Sequence, residues 1–183
     1  MKNKTSIKNY SICLVFFISF FSFSALAQEN GIFELKQNAR PSASSKTNSL
    51  VVSISKDSKS TIDARAEFNT LVYKLHPTVY VKNGIVKKTY GEGPIIKLTL
   101  EDVNSISSLS SLASNYPEIE LLTIKLNSIS DINSTLDLNS ISNLSKLKYV
   151  FIKGRFNCNE ALLNRFVNYS SNTRVFYLCG ESE

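Results

Sequence analysis

Histidine occurs once in this chain, at position 76, and that scarcity excludes more chemistry than any other feature of the composition. A Ser-His-Asp relay would have to be built on His76 alone. Because His76 precedes Pro77 at the end of an apolar periodic stretch, a turn or capping role suits it better than that of a base. No serine lies in a Gly-x-Ser-x-Gly elbow. Three cysteines, at 13, 158 and 179, lack the paired spacing of a zinc site. Glycine is sparse, with six in 183 residues, and the GEG at 91–93 is followed by neither Lys-Ser nor a helix start, which excludes a phosphate loop. Lysine and arginine nowhere cluster beyond the pair Lys87-Lys88, so nucleic acid is not an expected partner. Nor is a cofactor or metal expected. The acids that stand close together near the apolar runs are Glu101-Asp102, and Glu118 with Glu120. They offer a route to a small envelope hydrolase or metal-dependent enzyme, although solvated charges at strand ends are the commoner use of such residues.

The first 27 residues carry an address. Lys2, Lys4 and Lys8 form a positive head, Ile12 to Phe23 an apolar stretch, and Ala25-Leu26-Ala27 a small-x-small cleavage pattern. An apolar run of roughly 12 residues falls short of the roughly 20 needed to cross a bilayer. A cleaved signal peptide and a periplasmic or extracellular product, with no membrane span in the mature chain, are therefore expected. Cleavage removes three lysines and no acid, leaving 18 basic and 15 acidic residues, a net charge of +3. The remaining 156 residues suit one domain with a single core. Two cysteines then remain, Cys158 and Cys179, and an even count in an exported protein favours a disulfide over two buried thiols.

Residues 28–59 are poor in large apolar side chains and read as a flexible linker, with LVVSIS at 50–55 as a short strand inside it. Order is expected from Ser60, whose spacing to Asp63 offers a capping box ahead of Phe68, Leu71, Val72 and Leu75 at helical intervals. His76-Pro77 ends that helix. Two β-rich runs around Asn83-Gly84 then predict a hairpin, so that 60–93 forms a helix and β-hairpin cap.

From position 94 on, four apolar runs recur: 95–100, 119–126, 147–153 and 173–179. Aligned on hydrophobic pairs, they match as Leu98 and Leu100, Leu122 and Ile124, Val150 and Ile152, Phe176 and Leu178, at intervals of 24, 28 and 26 residues. The second unit spells Ile119, Leu122, Ile124, Asn127 and Ile129, which resembles the L-x-x-L-x-L-x-x-N-x-L consensus of leucine-rich repeats. The first follows with Ile95, Leu98, Leu100, Asn104 and Ile106, one residue longer before the asparagine. Ile106, Leu109 and Leu112, and later Ile141, Leu144 and Leu147, read as returning segments with an apolar inner face. The fourth unit departs from the pattern: Asn157 or Asn159 caps a helix through Leu162, Leu163, Phe166 and Val167.

The resemblance covers residues 94–183 and implies an α/β fold, a short leucine-rich-repeat-like solenoid with parallel strands. A plain α/β domain with a parallel sheet has the same element order. In a repeat stack the asparagine amide bonds the backbone of neighbouring turns, and alternate strand residues form an outward face. That face would present Leu121, Thr123, Lys125, Tyr149, Phe151, Lys153 and Tyr177 to a protein partner. The implied function is non-enzymatic binding, with an accessory subunit of an envelope assembly as a further possibility. On this reading Phe151→Ser with Tyr177→Ser leaves stability unchanged, whereas helices on both faces of the sheet would bury these side chains instead.

Overall fold

Aliphatic residues at alternate positions of short runs, separated by serine- and asparagine-rich turns, build the centre of the molecule. The computed structural model describes residues 31–35, 59–169 and 172–180. In chain order the elements are β1 (Ile32–Glu34), α1 (Lys59–Tyr73), β2 (Thr78–Lys82), β3 (Ile85–Tyr90) and β4 (Lys97–Leu100), followed by α2 (Leu109–Asn115) and β5 (Leu121–Leu126). Then come β6 (Leu136–Asp137), β7 (Tyr149–Gly154), α3 (Glu160–Phe166), β8 (Val167–Asn168) and β9 (Arg174–Cys179). Single 3₁₀ segments lie at Val103–Ser108, Ile129–Asn133 and Leu138–Ser140.

Seven strands form one open sheet in the order β1-β9-β7-β5-β4-β2-β3, parallel throughout except for the antiparallel β2–β3 pair. The strands β6 and β8 make a separate parallel pair. From β4 through β5 and β7 to β9, each strand of the main sheet lies beside its predecessor in that sheet, so these crossovers step the same way, while β4 returns past β3 to pair with β2. The result is an α/β protein with a mostly parallel sheet.

The register sorts the side chains into two faces. Val79, Leu98, Leu122, Val150 and Val175 form one row, and Val81, Leu100, Ile124, Ile152 and Tyr177 the next. Both rows pack against the segments that return after each strand, including Leu109, Leu112, Ile132, Leu163 and Phe166. The first three hydrophobic pairs align as the sequence predicts. The fourth slips by one residue: Val175 and Tyr177 occupy the rows, not Phe176 and Leu178. A one-residue slip turns every side chain of the strand over, so Phe176 faces the other way.

Helix α1 covers that other face. Phe68 stacks on Phe176 at 4.2 Å between centroids, and meets Phe151 at 5.4 Å and Tyr149 at 5.7 Å edge-on. Leu71 joins them, with Leu35 from beyond β1. Burying one such ring contributes about 1.5–3 kcal/mol, and favourable ring pairs add about 0.5–1.5 kcal/mol each.

Local signals account for most element ends. At the β2–β3 turn Asn83 and Gly84 have φ of 50° and 72°, the left-handed pair of a two-residue hairpin turn. Helix α3 is capped by Asn159, whose Oδ1 accepts from Leu162 N at 2.9 Å. Asn127 donates from Nδ2 to the Glu101 carbonyl at 3.3 Å, a bond at the exposed end of the β4–β5 pair. Ile129, the last position of the repeat consensus, is 63% exposed rather than inward.

Three expectations shift. Helix α1 starts at Lys59, which leaves Ser60 inside it, and stops at Tyr73; Leu75 is left fully exposed. Within the expected linker, Ile32–Glu34 pairs with β9 as an edge strand. The leader and the 50–55 run lie outside the described residues. The hairpin is part of the main sheet, because β2 pairs with β4. Cys158 and Cys179 lie at disulfide distance, with Cα atoms 5.8 Å apart, joining the turn after β7 to the end of β9.

Candidate interaction site

The strand face that the sequence nominates for contact is covered. Leu121, Tyr149 and Phe151 are 1%, 4% and 3% exposed beneath Phe68 and Leu71 of α1. Thr123 on the same face is buried too. Tyr177 is buried on the opposite face, a consequence of the register slip. These five side chains form no surface patch: α1 covers the face of the first four, and the returning segments of the other face cover Tyr177. Only the lysines of the set reach solvent. Lys125 pairs with Glu101 at 3.2 Å. Its neighbour Lys153 lays its stem along Phe151, with Nζ 5.6 Å from the ring centroid. Desolvation, and then the charge of Lys125, lower the Lys153 pKa.

A charged cluster fixes the other end of this face. Glu67 of α1 accepts from Lys148 Nζ at 2.8 Å and from the Tyr149 hydroxyl at 2.7 Å. Lys148 also reaches Glu120 at 3.1 Å. Hydrogen bonds from Lys148 and Tyr149 hold the Glu67 carboxyl below its usual pKa, against a smaller opposing effect of desolvation. The Lys148 ammonium is raised by its bonds to Glu67 and Glu120. Burial, and then the bond to Glu67, push the Tyr149 phenol well above its ordinary value. Asp63, Asn172 and Arg174 complete an open cleft of about 470 Å³ here. Its acids and bases largely satisfy each other, and the arrangement works as a clip between α1 and the strand starts.

The acidic residues considered for catalysis are separated and engaged. Glu101 and Asp102 follow the end of β4, while Glu118 and Glu120 precede β5. Since Glu120 N bonds the Ile96 carbonyl, Glu101 lies five residues farther along the parallel pair, about 16 Å at the usual strand rise. Glu118 pairs with Lys146 and Glu120 with Lys148. Asp102 accepts from Asn83 N at 2.8 Å through Oδ2, and from Ser105 N at 3.0 Å and Ser105 Oγ at 2.9 Å through Oδ1. The carbonyl of His76 accepts from Thr78 Oγ1 at 2.7 Å within the turn. Among the described residues no three His, Cys, Asp or Glu side chains converge as metal ligands, and no helix is long and apolar enough to cross a membrane.

What sequence reasoning missed is the hairpin side of the molecule. All six residues of β3 are exposed, and among the described residues β3 pairs with β2 alone. Six large hydrophobic residues are exposed among those described; five of them, Tyr73, Leu75, Ile85, Val86 and Tyr90, fall within 73–90. Lys88 Nζ sits 4.6 Å from the Tyr80 centroid and 5.3 Å from that of Tyr90, and the two rings meet edge-on at 5.7 Å. The hairpin tip is anchored from the next turn: Asn83 N on Asp102, and Gly84 N on Ser105 Oγ at 3.0 Å. A signal for this was present in IVKKTY, where apolar ends flank two lysines with no periodic inner face.

These features define an α/β protein with a mostly parallel open sheet, one face closed by α1 and, among the described residues, an exposed β3 edge. Comparison with protein-family models, with curated proteins and with solved structures finds no match.

Proposed function

We propose that this is an exported, non-enzymatic binding protein, built on a short parallel stack that resembles leucine-rich repeats, and that it recognises another protein at its hairpin edge. Export rests on the leader pattern of residues 1–27, and the Cys158–Cys179 pair is compatible with it. The observation that carries the reading is the concentration of exposed apolar side chains within 73–90, since monomeric surfaces usually scatter such residues singly. Acids engaged in ion pairs and turn bonds at opposite strand ends favour binding over hydrolysis.

The test is capture from envelope extract by the exported chain and by a variant carrying Ile85→Ser and Tyr90→Ser. Both positions are exposed, so the stability loss should be confined to the Tyr80–Tyr90 ring pair, about 0.5–1.5 kcal/mol, while capture of the specific partner is lost. Equal capture by both chains would remove the hairpin edge from the proposal. Loss of capture on changing Lys125 and Lys153 instead would return the site to the margin of the covered face.

A further inference from the structure

We infer that β3 takes up an acidic, extended segment of a partner protein by strand addition. This rests on the binding reading above and specifies its chemistry. In an antiparallel pair, alternate residues direct their N–H and C=O groups away from the neighbouring strand, and beyond β3 there is no further strand among the described residues. An added strand would satisfy those groups, and the side chains beside it would select its sequence.

Charge decides what kind of segment fits. Residues 73–93 contain Lys74, Lys82, Lys87 and Lys88 against Glu92 alone, a net charge of +3. The remainder of the chain after position 27 holds 14 basic and 14 acidic residues. The whole positive excess of the exported chain therefore falls within residues 73–93, three of whose four lysines lie on β2 and β3. Glutamate or aspartate opposite Lys87 and Lys88 would be attracted, with aliphatic residues against Ile85, Val86 and Tyr90.

The same lysines exclude a second copy. Antiparallel pairing of β3 with itself about its centre brings Lys87 of one chain opposite Lys88 of the other, and like charges directly opposed are destabilising. The register irregularity at Tyr80/Val81 leaves Lys87 as the extra residue of β3, a local bulge that any added strand has to accommodate, so the selection against a second copy rests on the opposed lysines. Meanwhile the anchoring of the tip by Asp102 and Ser105 holds β3 ready, so little ordering cost falls on binding.

The probe is a labelled, end-capped peptide of alternating glutamate and valine, compared with a lysine–valine counterpart, an oligoglutamate, and a glutamate–valine peptide N-methylated at alternate amides. Binding is read by fluorescence anisotropy, and its place by amide hydrogen exchange over residues 85–90. The glutamate–valine peptide is expected to slow exchange there, and to bind at least tenfold more tightly than the other three. Lys87→Glu with Lys88→Glu should invert the preference toward the lysine–valine peptide. Equal binding of the N-methylated peptide, or of oligoglutamate, overturns strand addition in favour of simple charge attraction. Protection of 85–90 that depends on protein concentration without peptide overturns it in favour of a second copy. The two readings fail separately. A captured partner that needs Ile85 and Tyr90 yet leaves these amides unprotected sinks strand addition alone, whereas peptide binding at the edge without any partner capture sinks the broader reading alone.

Discussion

One face of the central sheet is covered by segments that each follow the strand they cover; the other is covered, among the described residues, by a 15-residue helix that lies between β1 and β2 in the chain. The first kind of cover is local: Leu109 and Leu112 return directly after β4, Leu163 and Phe166 directly after β7. The second is remote, with Phe68 reaching Phe151 and Phe176 far along the chain. Local cover ties each crossover into the same cooperative core as its strands. Remote cover rests on few side chains, chiefly Phe68 and Leu71, together with the Glu67 clip. The difference implies that α1 can open with less free energy than the sheet, as the less tightly connected parts of a fold commonly do.

Phe151 and Tyr177 break or sharpen that contrast most strongly, because they lie on opposite faces. Each truncation to alanine should cost about 3–5 kcal/mol in urea unfolding, and neither can be the silent surface change that an outward-facing patch would predict. Their effects should differ in kind. Tyr177→Ala is expected to lower exchange protection across β5, β7 and β9 together; Phe151→Ala should release amides of α1 first, leaving β5 protected. Identical protection losses from the two variants would show that the faces do not differ in cooperativity.

A smaller effect is expected at Asp102, which joins the hairpin to the first returning segment. Asp102→Ala removes the acceptor for Asn83 N and the cap on the Val103–Ser108 segment. Lost caps cost about 0.5–2 kcal/mol. Faster exchange should appear at Asn83 and Gly84, with α1 unaffected. A loss of protection in α1 of the same size would tie the hairpin to the helix rather than to the local core.

How far the sequence reveals this contrast depends on the range of the interactions. Three of the four aligned strand pairs, the Asn83-Gly84 turn and the Asn159 cap are legible because each depends on neighbours in sequence or on simple alternation, whereas the approach of Cys158 to Cys179 is legible only from the even cysteine count left after the leader. The β9 register is not, since Val175, Phe176, Tyr177 and Leu178 are all apolar and alternation gives no phase. The cover over Leu121, Tyr149 and Phe151 is also hidden, because α1 shows only a short apolar stripe and nothing in it names the face it will meet. For the same reason the parallel pairing of β2 with β4, which turns the expected cap into a sheet edge, follows only from the assembled structure. The exposed edge is only half legible: the lysine pair inside IVKKTY marks a strand without an inner face, but Ile85, Val86 and Tyr90 look like ordinary strand residues until their burial is known.

The weakest lever on the helix-covered face is its Glu67 clip, and pH acts on it in one direction. Its carboxyl titrates lower in the folded chain than the ordinary value of 4.5, held down first by Lys148 and next by the Tyr149 hydroxyl. A depressed carboxylate contributes stability above its unfolded pKa and loses that contribution as pH falls through the folded one. The Glu67 and Lys148 side chains are 46% and 49% exposed, so solvent screening limits the pair to about 1 kcal/mol or less. Glu67→Gln keeps an acceptor for Tyr149 but removes the charge. The melting-temperature gap between the native chain and this variant should therefore be small at pH 7, shrink below about pH 4.5 as the carboxylate protonates, and narrow in high salt. A gap that persists undiminished in acid and in high salt would show that it does not come from the charge of Glu67, and would make the attachment of α1 insensitive to acid.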